Sequence, residues 1–122
     1  MSLAKEKMET WDTLQNYSTD EQVVGTWIDG SKIYQKTFYH ASPANKAWTT
    51  IGTISNFGRI INIIGTVVNN NLGATFPIGC LTNDVALYAL VESDGILRVE
   101  PWRGNDTWKD VYVTVLYTKT TD

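Results

Sequence analysis

The chain has 122 residues, a formal net charge of −3, one cysteine and one histidine. That length fits one domain able to bury enough surface to fold without a disulfide or a metal. The same values exclude an internal disulfide framework, a multi-cysteine or His-rich metal site, and the basic surface that duplex binding requires.

Sixteen Thr, six Tyr and five Trp suit pleated, half-buried surfaces. Ala, Leu, Glu and Lys, which long helices need, are sparse after Met8. A membrane-spanning helix takes about 18 or more consecutive apolar residues, and no such run occurs, so no membrane insertion is expected. The opening MSLAKEKMET is too polar for a secretory signal. The expectation is an all-β domain.

Residues 1–16 read as a linker or a short helix, because Met8, Trp11 and Leu14 recur at roughly helical spacing. Met1-Ser2-Leu3 reads as an appended scar. The domain is expected over 17–122 and opens with a loop. Gln22 to Ile28 is a strand candidate, followed by Asp29-Gly30 and a second candidate, Ser31 to Tyr39. Asp-Gly between two β-rich runs predicts a hairpin closed by a type I′ turn, with positive φ at both central residues. In the second arm Ile33, Gln35, Thr37 and Tyr39 share one face, and Tyr34, Lys36, Phe38 and His40 the other. Both faces are mixed, so alternation does not select the one that meets the core.

Ala41 to Lys46 is a turn, and Trp48 to Ile54 a strand. Arg59 to Val68 is the most apolar run and predicts a central strand, with Gly65 marking a bulge or a close backbone approach. Asn69-Asn70-Asn71 is a loop tip. Pro77 confines residues 74–81 to an irregular edge. Asp84 to Glu92 fits helix or strand by itself, but Ser93-Asp94-Gly95 and the following Ile96 to Glu100 decide for a second hairpin, ended by Pro101. Arg103 to Asp106 is a loop. Asp110 to Thr118 is the last strand, with Val111, Val113, Val115 and Tyr117 on one face. This count and turn spacing predict an antiparallel β-sandwich, jelly-roll-like, with the short N-terminal helix or linker outside it.

Little in the chain carries catalysis. Nucleophilic chemistry needs a base beside its nucleophile, and the lone His40 reads as a solvated residue before a turn. Asp29, Asp84, Glu92, Asp94 and Glu100 lie at strand ends, where hairpin turns and solvated edges account for them without a glycosidase pair. No DxDxDG loop is present. Cys80 reads as a small buried hydrophobe. No catalytic residue, metal or cofactor is expected.

The binding signal is aromatic. Trp102 and Trp108 flank a polar loop holding Arg103, Asn105 and Asp106. Indole faces stack on sugar rings, while Arg, Asn and Asp supply directional hydrogen bonds. The competing explanation is that both indoles fill a core or a subunit contact.

Tyr17 to Thr37, running YSTDEQVVGTWIDGSKIYQKT, resembles a segment recurrent in tail-fibre and minor structural proteins of phages and prophages of Gram-positive bacteria. The ending Val115 to Asp122, VLYTKTTD, resembles the C-terminus of the same proteins. Relatives commonly carry Lys-Pro after the turn glycine, where this chain has Ser31-Lys32, and no Gly-X-Y shaft is present. The resemblance implies a non-enzymatic virion component, made in the bacterial cytoplasm without a signal peptide. Its β-sandwich head would be trimeric, would join other tail proteins and would touch saccharide on the host surface. The alternative is a free-standing carbohydrate-binding module or a fragment of a carbohydrate-active enzyme. On either reading the expected ligand-binding residues are Trp102, Arg103, Asn105, Asp106 and Trp108.

Overall fold

Alternating side chains along one strand organise the interior. The computed structural model describes residues 17–121 and contains eight strands. These are β1 (Gln22–Thr26), β2 (Lys32–Ala41), β3 (Thr49–Thr53), β4 (Phe57–Asn69), β5 (Ala74–Pro77), β6 (Ala86–Val91), β7 (Ile96–Trp102) and β8 (Trp108–Lys119). One antiparallel sheet has the order β1-β2-β8-β4-β5, and the other β3-β7-β6. The all-β antiparallel sandwich expected from the sequence is therefore present. The expected N-terminal helix or linker lies outside the described residues.

β8 is the middle strand of the larger sheet, and its Val111, Val113, Val115 and Tyr117 are fully buried. Opposite them stand Phe38 from β2 and Ile63 and Val67 from β4, in the pairs Phe38↔Val113, Ile63↔Val115 and Val67↔Val111. The smaller sheet contributes Leu87 from β6 and Leu97 and Val99 from β7. Each such side chain, fully removed from water, stabilises the fold by about 1.5–3 kcal/mol. Cys80 packs partly buried against this cluster.

Register resolves the ambiguity of β2. Tyr34, Lys36, Phe38 and His40 pair with the core-facing residues of β8, so Gln35, Thr37 and Tyr39 look outward. Pattern alone could not show this, because a lysine and a histidine share the inner face with Phe38. Lys36 extends its amine 5.2 Å from the Phe38 ring centre. His40 is half-buried within β2, not a solvated turn residue.

The two Asp-Gly hairpins form, but not with the expected turn. Only the glycines, Gly30 and Gly95, have positive φ, so neither turn is type I′. Each is a three-residue loop closed by a glycine bulge. In the first, Gly30 N–H donates to the Trp27 carbonyl and Trp27 N–H to Ser31. In the second, Gly95 donates to Glu92, and Glu92 to Ile96. The aspartate of each loop accepts from the N–H two residues on, at 2.9 Å for Asp29 and 3.2 Å for Asp94. That bond from Ser31 is the main reason the Asp29 carboxyl stays below its ordinary pKa.

Two further expectations meet the structure differently. Gly65 does mark a close approach, since a Cβ there would lie 2.4 Å from the Tyr112 carbonyl oxygen. Pro101, expected to end its strand, instead lies inside β7, paired with Leu87. Its carbonyl accepts from Lys46 N–H at 2.8 Å, in the segment before β3.

Candidate functional site

The polar loop after β7 is braced by hydrogen bonds of its own. Asp106 takes the Arg103 guanidinium and, at 3.0 Å, the Asn69 amide. The Arg103 bond outweighs the effect of burial and holds the Asp106 carboxyl below its ordinary pKa, with Asn69 adding to it. Asn45 Oδ1 accepts from Trp108 Nε1 at 3.0 Å and from Arg103 N–H at 3.1 Å, while its Nδ2 donates to the Gly104 carbonyl at 3.0 Å. Asn71 accepts from Thr107 N–H. Arg103 and Asp106 therefore clamp the loop first, and Asn105 is exposed beside Gly104.

The five residues expected to bind ligand do not form one site. Trp108 is 1% exposed, its ring edge-on to Phe76 at 6.3 Å and its N–H held by Asn45. It is a core residue and presents no face for stacking. Trp102 is 43% exposed and lies on the outer face of β7. The two belong to different sheets. Asp106 and Trp108 border a recess of about 370 Å³ with Pro43, Asn45 and Asn70, whereas Trp102 borders a separate groove.

That groove, of about 340 Å³, is the better candidate. Outward-facing residues of β6 and β7 supply one part: Ala86 pairs with Trp102, and Tyr88 with Glu100. The small Ala86 leaves the space between the two rings. Leu81, Thr82, Asn83 and Asp84 form the rim on the chain entering β6. Thr82 Oγ1 donates to Asp84 Oδ1 at 3.1 Å, and Val85 N–H donates to Thr82 Oγ1 at 3.1 Å, which fixes this rim.

A third aromatic extends the surface. Thr49 pairs with Val99, so Trp48 lies level with Glu100 on the far flank of β7. Its ring centre is 6.4 Å from that of Tyr88, and each is 45% exposed. Lys46 rests its amine 4.4 Å from the Trp102 ring centre. The Glu100 carboxylate makes no hydrogen bond or ion pair among the described residues. Asp84 has Arg103 Nε 3.8 Å away. Chemically, the face offers three ring surfaces for stacking and two carboxylates to accept hydrogen bonds.

Of the expected residues, Trp102 alone lines this groove, with Arg103 behind Asp84. Trp48 and Tyr88 were not singled out from the sequence. A signal for Tyr88 existed: alternation along 85–91 sends Val85, Leu87, Ala89 and Val91 to one face and Tyr88 to the other, and along β7 it sets Glu100 and Trp102 opposite Leu97 and Val99. No family model, curated protein or solved structure matches this chain.

Proposed function

We propose that this domain is a non-catalytic saccharide-binding head of a phage or prophage tail, and that Trp48, Tyr88 and Trp102 are its sugar-stacking surface. One observation carries the reading: three half-exposed rings share one sheet face at a groove bordered by two carboxylates, of which Glu100 is unpaired. Isolated exposed aromatics are ordinary, but a grouped set beside polar acceptors marks a ligand surface. Stacking is worth on the order of 1 kcal/mol per ring, so one copy binds weakly. A trimer would multiply the contacts and raise avidity. Exposed Tyr39, Tyr112 and Ile64 on the outer face of the larger sheet support such self-association. The resemblance at residues 17–37 and 115–122 supports the tail assignment.

The test is retention of the purified domain on insoluble Gram-positive cell-wall glycan. Wild type should be retained, and Trp102→Ala and Tyr88→Ala should pass through with unchanged melting temperatures. Absence of wild-type retention overturns the reading.

A second reading, a fragment of a carbohydrate-active enzyme, has one observation in its favour: Asp84 and Glu100 border the same groove. It requires release of new reducing ends from glycan on prolonged incubation, abolished by Glu100→Gln.

A further inference from the structure

We infer that the glycan taken by the Trp102 groove carries free, protonated amino groups, and so is a cationic amino-sugar chain instead of a neutral or acidic one. The inference rests on the saccharide-binding reading and refines it.

The argument is electrostatic. Both charged residues lining the groove, Asp84 and Glu100, are acids. Asp84 is partly compensated by Arg103 at 3.8 Å. Glu100 is not compensated: its carboxylate has no hydrogen bond or ion pair among the described residues. It stands on β7 between Trp48 on one flank and Tyr88 on the other. The face of an aromatic ring is the negative end of its quadrupole. A carboxylate amid such rings gains nothing from them, whereas a cation is attracted by the rings and the carboxylate together. A neutral hydroxyl would satisfy one oxygen of Glu100 but leave the charge uncompensated. An acidic sugar would add to it.

The molecule already makes half of this interaction with its own side chain. Lys46 holds its ammonium 4.4 Å from the Trp102 ring centre. Lys46 belongs to the segment before β3, on the opposite flank of β7 from the 81–88 rim, and does not line the groove. On the rim side Arg98 is paired with Glu92 at 3.2 Å and Arg103 lies beside Asp84, and neither pairs with Glu100. An amino sugar brings the ammonium and a ring face in one unit.

The experiment is titration calorimetry with a glucosamine oligomer and its N-acetylated counterpart, at mildly acid pH where the sugar amine is protonated. Wild type should bind the free-amine oligomer about fivefold more tightly, the scale of one partly exposed ion pair. Raised salt should shrink that preference. Glu100→Gln should bind both oligomers alike, at the affinity wild type shows for the acetylated one. Trp102→Ala should weaken both. Equal binding of the two oligomers by wild type, or a preference that Glu100→Gln leaves intact, overturns the amino-sugar inference and leaves saccharide binding standing. Binding of neither oligomer overturns this inference. Failure of cell-wall retention as well overturns the saccharide reading beneath it.

Discussion

The phenol of Tyr117, fully buried near the end of β8, donates its proton to Glu21, 96 residues earlier in the chain. Lys119 bonds the other carboxylate oxygen at 2.5 Å and lies 4.8 Å from the Tyr34 ring centre. The residue that leads into β1 is thereby tied to the central strand. Burial, and then the bond to Glu21, push the Tyr117 phenol well above its usual range, so it remains a donor at every pH at which the protein would be handled. Burial also works to raise Glu21, but the bonds from Lys119 and Tyr117 outweigh it and hold the carboxyl below its ordinary 4.5.

A pH dependence follows. A carboxylate with a depressed folded-state pKa stabilises the protein above its unfolded value, and that stability is lost as pH falls through the folded one. Glu21→Gln should cost about 1 kcal/mol at neutral pH, since the group is partly solvated. The gap between variant and wild type should close as pH falls below 4.5. Urea melts at a series of pH values check this, and a gap constant down to acid pH counts against the latch.

The two tryptophans around the polar loop should separate cleanly. Trp108→Ala empties a core position and should cost about 3–5 kcal/mol. Trp102→Ala should cost less than about 1 kcal/mol, as surface changes do. Asn45→Ala leaves the Trp108 indole N–H buried without its acceptor and should cost about 1–3 kcal/mol. Thermal melts of the three variants give the order.

Gly65→Ala should destabilise although it adds one carbon. Its Cβ would fall 2.4 Å from the Tyr112 carbonyl oxygen, which belongs to the neighbouring strand's backbone and cannot rotate away. Overpacking of this kind costs about 1–3 kcal/mol. Gly52→Ala meets the Phe38 ring at 2.2 Å, and there the side chain must give way. A double variant Gly52→Ala with Phe38→Leu should recover part of the loss in a thermal melt, and no comparable rescue is expected at Gly65.

Self-association is checked by mass. Sedimentation equilibrium at roughly tens of micromolar protomer should give a trimer, and the midpoint of unfolding should rise with concentration. A monomer at that concentration removes the avidity argument made above for three copies.

The strands were legible in the sequence because β-rich runs, alternation and turn residues agreed along most of the chain. Val111, Val113, Val115 and Tyr117 alternate without interruption, and all four are core. The inner face of β2 was not legible, because Lys36 and His40 interrupt it and only pairing with β8 assigns it. The turns were half legible: Asp-Gly located them, but whether Asp29 adopts positive φ depends on the loop length that strand register leaves. The site was the least legible part. Trp102 and Trp108 are six residues apart, yet the chain crosses between sheets in that interval, so one indole goes outward and the other inward. The grouping of Trp48, Tyr88 and Glu100 depends on which strands neighbour β7, and no local pattern encodes that.

The central place of β8 also sets when the protein can fold. β2 and β4 never touch as neighbours, since each pairs with β8 on opposite edges. Until residues 108–119 have been synthesised, the larger sheet exists only as two separate pieces, β1-β2 and β4-β5, and the smaller sheet has no partner layer. Such hairpin-sized fragments are marginal alone. Residues 108–119 must therefore emerge before a stable intermediate of this domain can form on the ribosome. The closing step joins segments tens of residues apart, which places folding among the slower β-rich topologies, in about milliseconds to seconds.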